Sequence, residues 1–248
     1  MSAYESLAVS YDRLTNDVDY GAVLKYVEQI LQKEHKTPKT VLDLCCGTGS
    51  LSVLLAQKGY QTIGVDASSE MLAVAYNKAL TLLEETRPFF VCQLAQKLKL
   101  PHKVELAVCC LDSLNYLTRP KDCAAAIKRV YQNLKHGGIF IFDLNTVEKL
   151  RSMDGQVFLD EDDDVYCVWR GEFDEETQIC SYGMDLFQRN GAYWERSFEE
   201  HCEYAYTIAQ MTEYLSSAGF TGIKVYGDRR LEAPKNGEQR IYFSAIKE

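Results

Sequence analysis

The sequence predicts an α/β fold in which a parallel sheet is covered by helices on both faces. Apolar runs too continuous to alternate, such as "TVLDLC", "QTIGVD", "VELAVCCLD" and "IFIFDLN", recur between residues 40 and 145, as strands buried on both faces do. Between them lie segments whose apolar residues return every three or four positions, the period of a one-faced helix. At 248 residues the chain suits one core with a small appendage, so 1–248 is read as a single domain.

The elements follow in order. Residues 1–36 read as a helical cap: in "DYGAVLKYVEQILQKEH" Val23, Tyr26, Val27, Ile30 and Leu31 share one face, and Pro38 closes the segment. "TVLDLC" is a strand, and "SLSVLLAQKG" a helix with Leu51, Leu54 and Leu55 on one face and Gly59 as its stop. "QTIGVD" is the next strand. In the helix "SSEMLAVAYNKALTLLEE", Ser68 or Ser69 can cap and Glu70 suits the dipole. "FFVC" and "VELAVCCLD" are further strands. The helix "DCAAAIKRVYQNLK" buries Ile127, Val130, Tyr131 and Leu134 and is expected to end at Gly137 and Gly138, before the fifth strand "IFIFDLN".

After Asn145 the period changes to two. "VYCVWRGEF", "QICSYGMDLFQRN" and "AYWERSFEEHCEYAY" predict an antiparallel insertion of three strands over about 155–205, with "RNG" as a hairpin turn. The acidic run at 160–164 lacks the glycine and terminal glutamate of a calcium loop and reads as a solvated loop before the insertion. "IAQMTEYLSSAG" then reads as a helix, with "GIKVYG" and "RIYFSAIK" as antiparallel neighbours, because the loop between them is too short for a crossover helix.

Composition excludes several classes of function. A net charge of −9, from 27 basic and 36 acidic residues, with no basic cluster to follow a phosphate backbone, argues against a nucleic-acid partner. The nine cysteines form two adjacent pairs and scattered singles with no CxxC spacing, which predicts reduced core thiols and no metal site. No run approaches the ~20 apolar residues of a membrane span, and the start lacks the pattern of a secretory signal. A cytoplasmic protein without membrane contact, monomer or homodimer, is expected.

Ligands of such sheets bind beyond the carboxyl ends of the strands, which turns attention to "VLDLCCGTGS". Gly47 and Gly49, with Thr48 between them, let backbone approach a ligand, and the next helix points its N–H groups into the same space. Two ligand classes compete. A dinucleotide loop needs a third glycine where this chain has Ser52, and a pyrophosphate sits poorly beside Asp43, which favours a cation instead. Asp66 closes the second strand, at the place for a carboxylate that accepts from ribose hydroxyls, although it can also cap the helix that follows. A nucleoside bearing an ammonium group and no pyrophosphate is S-adenosylmethionine.

"VLDLCCGTGSLS", "GVDASSEML", "CCLDSLNYL" and "LKHGGIFIFDLNT" together resemble the successive motifs of class I S-adenosylmethionine-dependent methyltransferases, over nearly the whole chain. Within that family the chain is most similar to bacterial small-molecule enzymes with an antiparallel insertion after the fifth strand. The resemblance implies a Rossmann-like seven-stranded sheet ending in an antiparallel hairpin. It also implies that Asp43, Gly47 and Gly49 line the methionine end, that Asp66 holds the ribose, that Ala67 and Met71 line the adenine, and that Tyr11 closes over the cofactor. S-adenosylhomocysteine would be the product. Two positions depart from the pattern: Cys45 replaces the first loop glycine, and Leu94 stands where an acid usually accepts from the adenine amino group, with Gln93 beside it as a possible substitute.

Methyl transfer from a sulfonium needs mainly proximity and alignment, with a base only when the acceptor arrives protonated or as a hydroxyl. The acceptor, an amine or hydroxyl small molecule, is expected where "LDSLNYL" leaves the fourth strand, beside Asp112, Asn115 and Tyr116, with Asp143 and Asn145 next. The insertion would form its lid. His201, flanked by Glu199, Glu200 and Glu203, can orient or deprotonate an amine, or else face solvent. Tyr193 and Trp194 either join the lid or pack the insertion against the sheet. A nicotinamide-dependent oxidoreductase and a non-catalytic S-adenosylmethionine sensor are the alternatives.

Overall fold

A computed structural model describes residues 11–15 and 18–248. Of the expected N-terminal cap, residues 1–10, 16 and 17 therefore lie outside the description. Helix α1 (Tyr11–Leu14) and helix α2 (Tyr20–Lys33) lead into strand β1 (Thr40–Leu44), α3 (Ser50–Gln57), β2 (Gln61–Asp66), α4 (Ser69–Ala79) and β3 (Phe89–Cys92). Then come β4 (Val104–Cys109), α5 (Pro120–Asn133), β5 (Leu134–Asn145) and a short α6 (Val147–Arg151). The insertion follows as β6 (Val157–Glu161), β7 (Val165–Asp174), β8 (Ile179–Asn190) and β9 (Tyr193–Tyr204). Helix α7 (Ile208–Ala218), β10 (Phe220–Gly227) and β11 (Arg240–Lys247) complete the chain.

Seven strands form one sheet in the order β10-β11-β5-β4-β1-β2-β3. The four pairings among β1 to β5 are parallel, and β11 runs antiparallel to both β5 and β10. Successive residues of the central strands point to opposite faces. Leu42, Ala107, Phe140 and Phe142 pack with α5 and α7 on one side. Val41, Leu106, Ile139 and Ile141 pack with α2 and α3 on the other. Burial of each large side chain contributes roughly 1.5–3 kcal/mol. The strand ends of β1, β4 and β5 are thereby held on a rigid platform.

Three expectations are corrected. Helix α5 stops at Asn133, short of the glycines: the Asn133 amide bonds to the backbone of Leu98, Leu100 and Arg129, and Leu134 already pairs with Val104. Gly137 and Gly138 lie inside β5, where a Cβ at Gly138 would stand 3.1 Å from the Glu105 carbonyl. The insertion has four strands, since residues 157–161 pair with β7. The acidic run is therefore divided: Asp160 accepts from the Trp169 indole at 3.0 Å, and Asp162 caps a turn by accepting from the Asp164 and Val165 amides at 2.8 Å.

The inner face of the insertion presents Cys167, Trp169, Tyr182, Met184, Leu186, Glu199, His201 and Glu203, aligned by register across β7, β8 and β9. Tyr11 packs against Val165, Cys167, Met184 and Leu186 of this face, so the N-terminal segment and the insertion meet above the strand ends. Tyr193 and Trp194 stand exposed at the hairpin tip, 79% and 49% accessible, and do not pack the insertion onto the main sheet.

Candidate active site

The turn after β1 is built from residues in the left-handed region, with φ of +58° at Cys45, +53° at Gly47 and +73° at Gly49. The two glycines serve different ends. A Cβ at Gly47 would meet nothing within 4 Å, so the backbone there faces open space. A Cβ at Gly49 would stand 2.7 Å from the Ala75 Cβ and 3.1 Å from the Phe90 ring, so Gly49 is required by the packing of the turn on α4 and β3. Cys45 holds a conformation that costs an L-residue roughly 1–2 kcal/mol.

Asp43 is 2% exposed and accepts from the Ser52 hydroxyl at 2.5 Å. Burial pushes its carboxyl up to about 7, against the lowering effect of Ser52. The serine at the absent third glycine is thus the partner of the buried acid, a relation that becomes visible only once α3 turns its first residues back over β1. Asp66 accepts from the Gly47 amide at 2.8 Å and the Ser68 amide at 2.9 Å. It joins the glycine turn to the start of α4, and each oxygen keeps lone-pair capacity for a further donor. Burial raises its carboxyl from the usual range while the two amides oppose the shift. Ser68 caps α4 by accepting from the Met71 amide at 3.1 Å.

A polar latch ties the N-terminal segment to the turn. Asp12 accepts from the Thr48 hydroxyl at 2.6 Å and pairs with Lys78 at 2.7 Å, while Lys78 also donates to Ser50 at 2.6 Å. This places Tyr11 beside the strand ends, where burial raises its phenol from the ordinary value and Tyr20, Asp112, Asp12 and Asp66 act in the same sense. On the far side of Asp66, Met71 is buried and Leu94 is 42% exposed, with Ala67 exposed as well. Gln93 lies beside the absent acid. Its amide accepts from Lys99 N at 2.9 Å and donates to Lys99 O at 3.2 Å, so both ends are held by local backbone.

Beyond β4 the chain turns through two consecutive left-handed residues, Leu111 at +60° and Asp112 at +52°. Their amides donate to Asp143 at 2.7 and 3.1 Å. Arg240 then bridges Asp143 and Asp112, at 2.6 Å from Asp112. Asn115 is fully buried. It donates to the carbonyls of Asn145 and Tyr204 at 3.1 and 3.0 Å and accepts from the Asn145 amide at 3.1 Å. With both donors engaged it clamps β5 to the end of β9, so its part in the site is to position backbone.

Tyr116 and His201 do come together, ring centroids 6.2 Å apart and edge to face, with Trp169 at 6.3 Å from His201. His201 is 2% exposed, which settles against a solvent-facing side chain, and its Nε2 lies 3.2 Å from Glu199. Sequence reasoning misses Arg240, on the last strand, and reads Glu203 only as a flank of His201. Glu203, 3% exposed, accepts from the Asn145 side chain at 2.9 Å. Burial and then Asp112 push the Glu203 carboxyl up to about 8, with Arg240 and Lys149 acting in the opposite sense. Among the described residues no group of three or more His, Cys, Asp or Glu has the arrangement of a metal site, and no helix is long and apolar enough to cross a membrane.

A glycine turn open at Gly47, an acid closing β1, a second acid closing β2 and a seven-stranded sheet with one antiparallel edge hairpin define a class I S-adenosylmethionine-dependent methyltransferase. Comparison with known proteins agrees, and the chain belongs to this family. It is 32% identical over 98% of its length to a putative methyltransferase of Geobacillus sp. (strain WCH70), covering 99% of that protein. A solved S-adenosylmethionine-dependent methyltransferase from Clostridium acetobutylicum superimposes with a TM-score of 0.86 at 32% identity, covering 98% of each chain. Residues 41–138 match the methyltransferase domain family. A glycine/sarcosine N-methyltransferase of Parasynechococcus marenigrum (strain WH8102) is 28% identical over 80% of this chain and 68% of its own.

Proposed function

We propose that the enzyme transfers the methyl group of S-adenosylmethionine to a small-molecule acceptor, at an amine or a hydroxyl, held between the ends of β4 and β5 and the inner face of the insertion. The meeting of Tyr116 with His201 of the insertion, beside the end of β4 where Arg240 holds Asp112, carries this reading. The same insertion, with Trp169 and Tyr182, supplies the lid, and the described residues of the N-terminal segment, 11–15 and 18–36, the cap. The similarity to an enzyme named for N-methylation of glycine and sarcosine supports an amine-sized acceptor. Nine free cysteines fit a reducing, cytoplasmic setting.

The residues present suit the cofactor. Asp66 offers its remaining lone pairs to the ribose diol, and Asp43 offers a buried carboxyl that ionises when a cation arrives at the methionine end. Gly47 leaves room for close approach. Thr48 and Gly49 hold the turn in shape, Ala67, Met71 and Leu94 give the adenine an apolar bed, and Gln93 fixes the 93–99 turn beneath it. Tyr11 covers the site from the N-terminal side. When bound, the cofactor supplies a methyl group activated by a sulfonium. The protein's part is to align the acceptor and exclude water, as in-line displacement requires.

Calorimetric titration with S-adenosylmethionine, S-adenosylhomocysteine and NADH, beside an Asp66→Ala variant, tests the reading. Binding of the two sulfur nucleosides alone, weakened by roughly 1–3 kcal/mol in the variant, is expected. Binding of NADH alone would overturn it.

A further inference from the structure

The inner face of the insertion carries a carboxyl, Glu203, that no cation among the described residues pairs directly. Arg240 is engaged by both Asp112 and Asp143. Glu199 faces His201. Glu203 is left with a neutral donor, the Asn145 amide at 2.9 Å, in a place where it is 3% exposed. The groups that act on it come from every neighbouring element: Asp112 after β4, Lys149 on α6, Cys180 and Tyr182 on β8, and Arg240 on β11, with His201 and Glu199 on the same strand, β9, and Asp143 on β5 joined through Arg240. Tyr182 is itself raised, first by burial and next by Glu203. Trp169, Tyr116 and His201 add aromatic faces to the same wall, and such faces attract cations.

Resting on the methyltransferase reading above, we propose that the acceptor is an amine that enters as its ammonium form, and that Glu203 is the carboxylate that receives the charge and takes the proton. A buried acid without a cation of its own is costly to ionise. An incoming ammonium removes that cost. One N–H bond of the acceptor then breaks, its proton passes to a Glu203 oxygen, and the electron pair stays on nitrogen as the nucleophile. The acid is neutral again, and the amine is ready for the displacement. A hydroxyl acceptor brings no charge and would leave Glu203 protonated throughout. The carboxyl, held up to about 8 by burial and Asp112, therefore ionises only in step with a bound cation near neutral pH.

Sinefungin gives a test that does not depend on knowing the acceptor, because this analogue carries a primary amine where S-adenosylmethionine has its methyl sulfonium. Its affinity is compared with that of S-adenosylhomocysteine by calorimetry at pH 7 in buffers of different ionisation enthalpy. Wild type is expected to prefer sinefungin by tenfold or more and to release protons on binding it beyond those released with S-adenosylhomocysteine. Glu203→Gln should bring the preference close to unity and abolish the extra release while holding S-adenosylhomocysteine affinity within about twofold, and Glu203→Asp should restore part of both. An unchanged preference in Glu203→Gln, or no extra proton release in wild type, overturns the proposal. Failure of wild type to bind S-adenosylhomocysteine would instead remove the cofactor reading on which it rests.

Discussion

Replacing Gly49 by alanine puts a Cβ 2.7 Å from the Ala75 Cβ and 3.1 Å from the Phe90 ring, at a φ of +73°. The left-handed conformation costs an L-residue roughly 1–2 kcal/mol, and forcing a methyl group into packed surroundings costs roughly 1–3 kcal/mol more. Gly47→Ala incurs only the first, since nothing lies within 4 Å of its Cβ. For a chain of this size each kcal/mol lowers Tm by roughly 2–4 °C. Gly49→Ala should therefore melt roughly 4–20 °C below wild type, and Gly47→Ala roughly 2–8 °C below. Cofactor affinity should rank the other way. The Gly47 methyl projects into the space assigned to the ligand and should weaken S-adenosylhomocysteine binding tenfold or more. Thermal unfolding followed by circular dichroism, with calorimetry on the folded variants, reads both quantities. If Gly47→Ala is the less stable of the two, or binds as wild type does, the division of labour between the glycines is wrong.

Asn115→Ala removes three hydrogen bonds from buried backbone. At roughly 1–3 kcal/mol for each polar group left unsatisfied, it should destabilise the fold by several kcal/mol in urea titration, whereas a surface asparagine substitution should not. Stability should also depend on pH in an uncommon direction. Asp43 and Glu203 are raised to about 7 and about 8, so each stays protonated in the folded state where the unfolded chain has already ionised. Their contribution is full below about pH 4 and is lost as pH rises toward 8, by an amount on the order of 4 kcal/mol each. Denaturation midpoints of Glu203→Gln should fall less between pH 5 and 8 than those of wild type, and equal slopes would count against a buried, protonated Glu203.

The strands of the main sheet were legible because burial on both faces leaves an almost unbroken apolar record, and the ligand-facing acids because each ends such a run. Asp43 and Asp66 needed nothing more than that. What escaped was set by pairing at a distance. Strand β6 is an edge strand in which every residue is exposed, so Asp160 and Glu161 are as acceptable there as in a loop. Leu134 satisfies the helical period of α5, yet its backbone is extended and paired with Val104. At the site, Arg240 reaches Asp112 across 128 positions of sequence, and the clamp formed by Asn115 depends on Tyr204, 89 positions on. A loop polar residue reads alike whether it meets a substrate or holds two strands together, and side-chain direction alone separates the cases.

Asp43, Asp66 and Glu203 share a property that stability alone does not explain. Each is raised chiefly by burial, in a chain whose net charge is already −9. A neutral amide or hydroxyl of similar shape would accept hydrogen bonds from Ser52, Gly47 or Asn145 without the cost of a buried charge. Carboxylates in these places become favourable when a cation enters. The cofactor of this class brings a sulfonium and an ammonium to the Asp43 end, and an amine acceptor would bring another to the Glu203 end. Binding and ionisation are then one equilibrium: each ligand draws its acid into the charged form and releases a proton, and each becomes harder to bind as pH falls and the acids hold their protons more firmly. The contribution of these three acids to the stability of the ligand-free protein is greatest on the acid side of neutrality, while they favour their ligands on the alkaline side. The separation of those two optima follows from the sign of the shifts, whichever amine is the acceptor.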